Sequence, residues 1–153
     1  VSDFGPDLIR EHFGRIWPTH VQAFSELLIE ARRHFDGDLD KLLILAVIGT
    51  RTVPLGSSSP ITAEQFQAGH PMTRMSRAIN IQSIADVTGI PRETVRRKVK
   101  AMIDRGWLQW IENGASIGLT ANRQAAEDLR PVTDATIRYL TALIEVVSSV
   151  ERS

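Results

Sequence analysis

Cysteine is absent from this sequence of 153 residues, which removes disulfide frameworks, thiolate zinc sites and cysteine nucleophiles together. A chain without thiols suits a reducing compartment, so a cytoplasmic location is expected. Long hydrophobic runs are missing too: the longest, Leu42 to Ile48, is too short to span a bilayer. The opening residues Val1-Ser2-Asp3-Phe4 show neither the basic stretch nor the apolar run of a secretory signal, so a soluble, untargeted chain with no membrane partner is the expectation. Catalytic hallmarks are lacking as well. No Gly-rich phosphate loop, nucleophile elbow or recognisable carboxylate pair occurs, and Asp36, Asp38 and Asp40 read as turn and cap residues. His12, His20, His34 and His70 are scattered, without the i, i+4 pairing beside an acid that a helical metal site shows. Neither an enzyme nor a metal or other cofactor is expected.

What is present is an ordinary globular composition, 42% hydrophobic and 24% charged, which predicts one domain over residues 1–153. The net charge of zero conceals a segregation. Residues 1–40 carry 4 basic and 8 acidic side chains, net −4, whereas residues 74–105 carry 8 and 3, net +5. A concentrated positive field attracts a polyanion, while the bland reading of the same charge is a solvated helical face.

Apolar spacing organises the rest. Phe4, Leu8, Ile9, Phe13, Ile16 and Trp17 recur at helical intervals, Pro18 interrupts, and a second run follows through Val21, Phe24, Leu27, Leu28, Ala31 and Phe35. Aromatic residues so spaced, Phe13, Trp17 and Phe24 among them, are more often core than cleft lining. Leu39 to Ile48 reads as a buried central helix stopped by Gly49. The N-terminal helices thus fill 1–51, and residues 52–75, rich in Pro, Gly and Ser, form a connection with a short helix at Ala63 to Gln67.

The segment 76–120 carries the chemistry. Ser83 is the candidate cap of a helix through Ala85 and Val87, Gly89 closes it, and Pro91 opens another that runs to about Arg105. Trp107 to Ile111 and Ser116 to Leu119 are strands joined at the turn dipeptide Asn113-Gly114, with Trp107 the safer core residue. Two helices joined by a tight Gly turn offer the second helix to base edges. Stepping about 100° per residue along that helix puts Val95, Val99, Met102 and Ile103 on one face and Glu93, Arg97, Lys100 and Asp104 opposite. Arg can bond guanine O6 and N7 together and Glu can accept from cytosine N4. Arg96, Lys98 and Lys100 are the expected phosphate partners, with Thr94 on the flank, Asn113 in a wing and the helix start at Ser83 as a further backbone contact.

Ile84-Ala85, Gly89-Ile90-Pro91-Arg92-Glu93-Thr94-Val95-Arg96-Arg97 and Arg105-Gly106-Trp107-Leu108 together resemble bacterial winged-helix regulators over roughly residues 77–130. Arg92-Glu93-Thr94-Val95 followed by Arg97 is similar to the recognition helix of the Crp/Fnr family, which implies base-reading roles for Arg92, Glu93 and Arg97. That family places a β-rich effector domain first, whereas the first 75 residues here read as helical, so cyclic-nucleotide sensing is not implied. The layout, with helices before the module and a long closing helix, resembles MarR-like regulators, which dimerise through their terminal helices.

The fold class expected is therefore mainly α with a small β-hairpin wing, a winged helix-turn-helix flanked by N- and C-terminal helices, the latter in 121–153. Thr120 is a cap candidate for a helix through Ala125 and Leu129, and a last helix spans about Thr133 to Val150. Ile137, Leu140, Leu143, Ile144, Val147 and Val150 give that helix a wide apolar stripe, and Ile137, Leu140, Ile144 and Val147 are assigned to a homodimer interface. The partner expected is double-stranded DNA, with any small-molecule effector unidentified. The alternative is a winged helix used as a protein-binding or scaffolding module, its basic helix meeting an acidic partner.

Overall fold

The computed structural model describes residues 5–52, 59–70, 78–111, 116–119 and 123–152. The elements in chain order are α1 (Pro6–Glu11), α2 (Phe13–His34), α3 (Leu39–Thr52), α4 (Ala63–Gln67), α5 (Ile81–Thr88), α6 (Arg92–Asp104), β1 (Leu108–Ile111), β2 (Ser116–Leu119), α7 (Arg123–Asp128) and α8 (Arg130–Glu151). The protein is mainly helical with one small antiparallel hairpin, an α+β arrangement. Where one domain is expected from length, contacts divide the chain into two compact units: Val1–Asp36 with Pro131–Ser153, and Gly37–Arg130. The first unit joins the two ends of the chain, a discontinuity that no linker composition marks. None of the helices among the described residues is long and apolar enough to cross a membrane.

In the terminal unit the break between α1 and α2 falls at His12, not at Pro18. Pro18 is the sixth residue of α2, so the ring removes only the N–H that would have met the Gly14 carbonyl. The Arg15 and Ile16 amides both bond the His12 carbonyl and restart the helix there. Ile16 and Ala31 are buried, but Phe13, Trp17 and Phe24 are not core: they are exposed and stack along α2 through His20. His20 and Phe24 meet Tyr139 of α8, whose hydroxyl lies 3.0 Å from His20 Nδ1. Helix α8 begins three residues earlier than expected, because Pro131 at its second position has no intrahelical partner to lose. Ala135 and Val150 are buried there, while Ile137, Leu140 and Ile144 stand exposed.

The central unit is built around α3, which packs on α5, α6 and β2. Ile44 and Ile48 are fully buried, whereas Leu39 and Leu43 are exposed, so a helix apolar nearly all round buries one side only. It also continues past Gly49 to Thr52. Helix α4 occupies its expected residues under a capping box, with Thr62 accepting from the Gln65 amide and the Gln65 side chain accepting from the Thr62 amide. The hairpin pairs Leu108 with Leu119 and Ile111 with Ser116, and a bridge from Ile79 to Ile117 adds a third short segment beside β2. Ile84, Val95, Val99, Met102, Trp107, Leu108 and Ile117 complete the buried set. Thr120 and Asn113-Gly114, expected as cap and turn, lie outside the described residues.

The cap of α5 differs from the expected one. Asn80 is the N-cap, its Oδ1 accepting the Ser83 amide at 2.8 Å, so Ser83 is the third helical residue and its N–H is already used. Asn80→Ala should destabilise the protein by about 0.5–2 kcal/mol and Ser83→Ala by much less. Urea titration followed by circular dichroism checks this, and a larger loss at Ser83 would reverse the assignment.

Candidate nucleic-acid interface

The site begins with the turn that aims α6. Gly89 closes α5 with φ +74°, a left-handed conformation that costs glycine no side-chain clash, and Thr88 Oγ1 accepts the Ile90 amide. Pro91 is the N-cap of α6, one residue outside the helix it was expected to open. Its fixed φ suits that entry. From there Val95, Val99 and Met102 turn inward and are buried, which ties one side of the helix to the core.

The other side is open. Arg92, Glu93, Arg96, Arg97, Lys100 and Asp104 are exposed, Thr94 is half-buried, and Glu93, Thr94, Arg96, Arg97 and Lys100 line one open recess. All three residues expected to face base edges are thus exposed, and two of them, Glu93 and Arg97, share the recess with two of the expected phosphate partners, Arg96 and Lys100. Arg96 donates from Nε at 3.1 Å and Nη2 at 2.9 Å to the same Glu93 oxygen, an exposed i, i+3 pair. Such a pair is worth a few tenths of a kcal/mol, little enough for either side chain to be drawn off by a stronger partner. The side chains of Arg92, Arg97 and Lys100 make no hydrogen bond or ion pair among the described residues. Three unpaired cations on one exposed surface can neutralise an anionic rod.

Lys98 does not join them. Its side chain is only 14% exposed, and its ammonium is engaged by the Asp38 carboxylate. At about 100° per residue Lys98 lies beside Met102 and Val95, at the edge of the packed face and away from the other expected phosphate partners. Ser83 likewise offers no free amide, and Asn113 lies outside the described residues.

Asp38 is the participant that residue type alone concealed. One carboxylate oxygen accepts the Lys41 amide at the start of α3 and the other accepts Lys98. Burial raises the pKa of this carboxyl, but the Lys98 bond, the Lys41 amide and the charges of both lysines together outweigh it, leaving it below the usual carboxylate value.

Behind the site, Trp107 is buried as expected. Its indole N–H donates to Asp128 at 3.0 Å, and the Arg105 guanidinium lies 4.3 Å from the ring centre. Trp110, further along the hairpin, is exposed. Among the described residues no three His, Asp or Glu side chains gather as a metal ion would need. No protein-family model, curated protein or solved structure matches this chain.

Proposed function

We propose that this protein is a sequence-specific double-stranded DNA-binding regulator of transcription, acting in the cytoplasm as a homodimer, with α6 as the recognition helix of a winged helix-turn-helix. The observation that carries the reading is the division of α6: one face locked in the core, the other presenting Arg92, Arg97 and Lys100 beside Glu93, their side chains unpaired among the described residues. The order α5, left-handed Gly89 turn, α6 and hairpin supports it, since a fixed helix followed by a two-stranded projection suits a major groove and its flanking backbone. Arg92, Glu93 and Arg97 read bases, while Arg96, Lys100 and Thr94 meet the backbone. The MarR-like layout assigns the terminal helices to dimerisation, and the exposed Ile137, Leu140 and Ile144 suit that role. The chemistry asks for no catalytic group and no cofactor.

Selection from random duplexes should return an inverted repeat, because a two-fold dimer reads paired half-sites. On the selected site Arg97→Ala should cost about 1–3 kcal/mol and relax base choice at one position. Lys100→Ala should weaken all duplexes alike and reduce the slope of log affinity against log salt by about one. An equal loss on cognate and random DNA for Arg97→Ala, or a loss confined to the cognate site for Lys100→Ala, would remove the corresponding role. No preference among duplexes for the wild type would favour the protein-binding module instead.

A further inference from the structure

Two helices that matter to recognition are joined by a single carboxylate. Asp38 caps α3 through the Lys41 amide and holds Lys98 of α6 with its other oxygen, and all three residues belong to the central unit. The partners are 60 positions apart in sequence, and the pair is largely shielded, at 14% and 26% side-chain exposure. A shielded ion pair resists loss of one partner more than a surface pair does, because the remaining charge is left poorly solvated.

The geometry of α6 gives such a tether a specific task. Val95, Val99 and Met102 hold the helix to the core by apolar contact, which is non-directional and opposes separation more than rotation about the helix axis. A charge-assisted hydrogen bond at the edge of that face is directional and fixes the rotation. The side-chain surface of a helix lies roughly 5–6 Å from its axis, so a roll of about 20° carries an outward group about 2 Å. Base hydrogen bonds tolerate only a few tenths of an ångström. Attraction to phosphate decays over roughly 8–10 Å and hardly notices such a roll.

We infer that Asp38 is a positioning residue for base recognition: through Lys98 it sets the roll of α6 and hence which bases Arg92, Glu93 and Arg97 can reach. The inference rests on the reading of α6 as the DNA-contacting helix. It separates two lysines two residues apart: Lys100 supplies charge to the duplex, and Lys98 supplies orientation from inside. Because Asp38 titrates below the usual carboxylate range, its stabilising contribution is complete above the unfolded-state value and is lost only as pH falls through the lower folded value. The tether is therefore closed throughout neutral pH.

The test compares wild type, Lys98→Met, Asp38→Asn and the double variant on the selected duplex and on random duplex, over a range of salt. Asp38→Asn retains an oxygen for the Lys41 amide, so it remains informative if Lys98→Met does not fold; thermal melts establish which variants are folded. Each single variant should lower the ratio of cognate to random affinity about tenfold, comparable to the loss of one bidentate base contact. Random-duplex affinity and the salt slope should stay at wild-type values, and the double variant should be no worse than either single one. A salt slope reduced by one in Lys98→Met would place Lys98 on phosphate and overturn the inference. So would an unchanged ratio in folded variants, or parallel losses on both duplexes. A wild type without duplex preference overturns the DNA reading and the positioning role with it, whereas a selective wild type with equally selective variants overturns the positioning role alone.

Discussion

Trp107→Ala is expected to destabilise the protein by about 3–5 kcal/mol, the range for removing a fully enclosed large aromatic. The side chain is 2% exposed at the root of the hairpin, where its backbone amide bonds the Met102 carbonyl. The substitution removes the ring between α6 and β1, the indole bond to Asp128 and the surface on which Arg105 lies. Domains of this size are stable by only about 5–15 kcal/mol, so the variant should unfold at markedly lower urea. Trp107→Phe keeps most of the ring and forfeits the N–H, and should cost closer to 1 kcal/mol beyond its lost volume. Denaturation with both variants separates packing from hydrogen bonding, and a loss under about 1 kcal/mol for the alanine variant would remove Trp107 from the core it is argued to support.

Leu140→Glu with Ile144→Glu should convert the proposed dimer to a monomer and abolish the tight binding proposed for an inverted repeat, while affinity for a single half-site is retained. Ile144 is 66% exposed and Leu140 49%, so neither charge enters the monomer's core. At an isologous interface each position occurs twice, and burying one such side chain is worth about 1.5–3 kcal/mol, so four lost burials exceed the margin of most dimers. A standard interface covers about 800 Å² on each partner. The α8 stripe is one patch, and the exposed Phe13, Trp17, Val21 and Phe24 on α2 are a second in the same unit. Sedimentation gives the mass directly. A wild type that runs as a monomer at tens of micromolar would dispose of the homodimer without touching the assignment of α6.

The locally encoded parts of this protein are legible in its sequence. A Gly between two short amphipathic runs and a Pro at the mouth of the second are signals carried by neighbours. The faces of α6 followed from spacing, so Arg92, Glu93 and Arg97 stood outward as expected. Lys98 does not, because charge alone nominates it for phosphate while its angular position places it beside Met102. Its partner Asp38 is distant in sequence, and nothing local announces a bond across 60 residues. The α2 aromatics show the converse limit: helical spacing says that Phe13, Trp17 and Phe24 share a side, and says nothing of what covers it. Asn80 and Ser83 were both chemically able to cap α5, and the choice went to the residue whose oxygen could reach back to an amide three positions on.

The three tryptophans occupy three surroundings, Trp107 sealed beneath a guanidinium, Trp110 half in solvent on β1 and Trp17 stacked on Phe13 in the terminal unit. Shielded indoles emit at shorter wavelength than solvated ones. The protein therefore carries its own optical labels, one at the hairpin root, one along the hairpin and one on the helical stripe, and chains retaining a single one of them would let each region be watched by its own light.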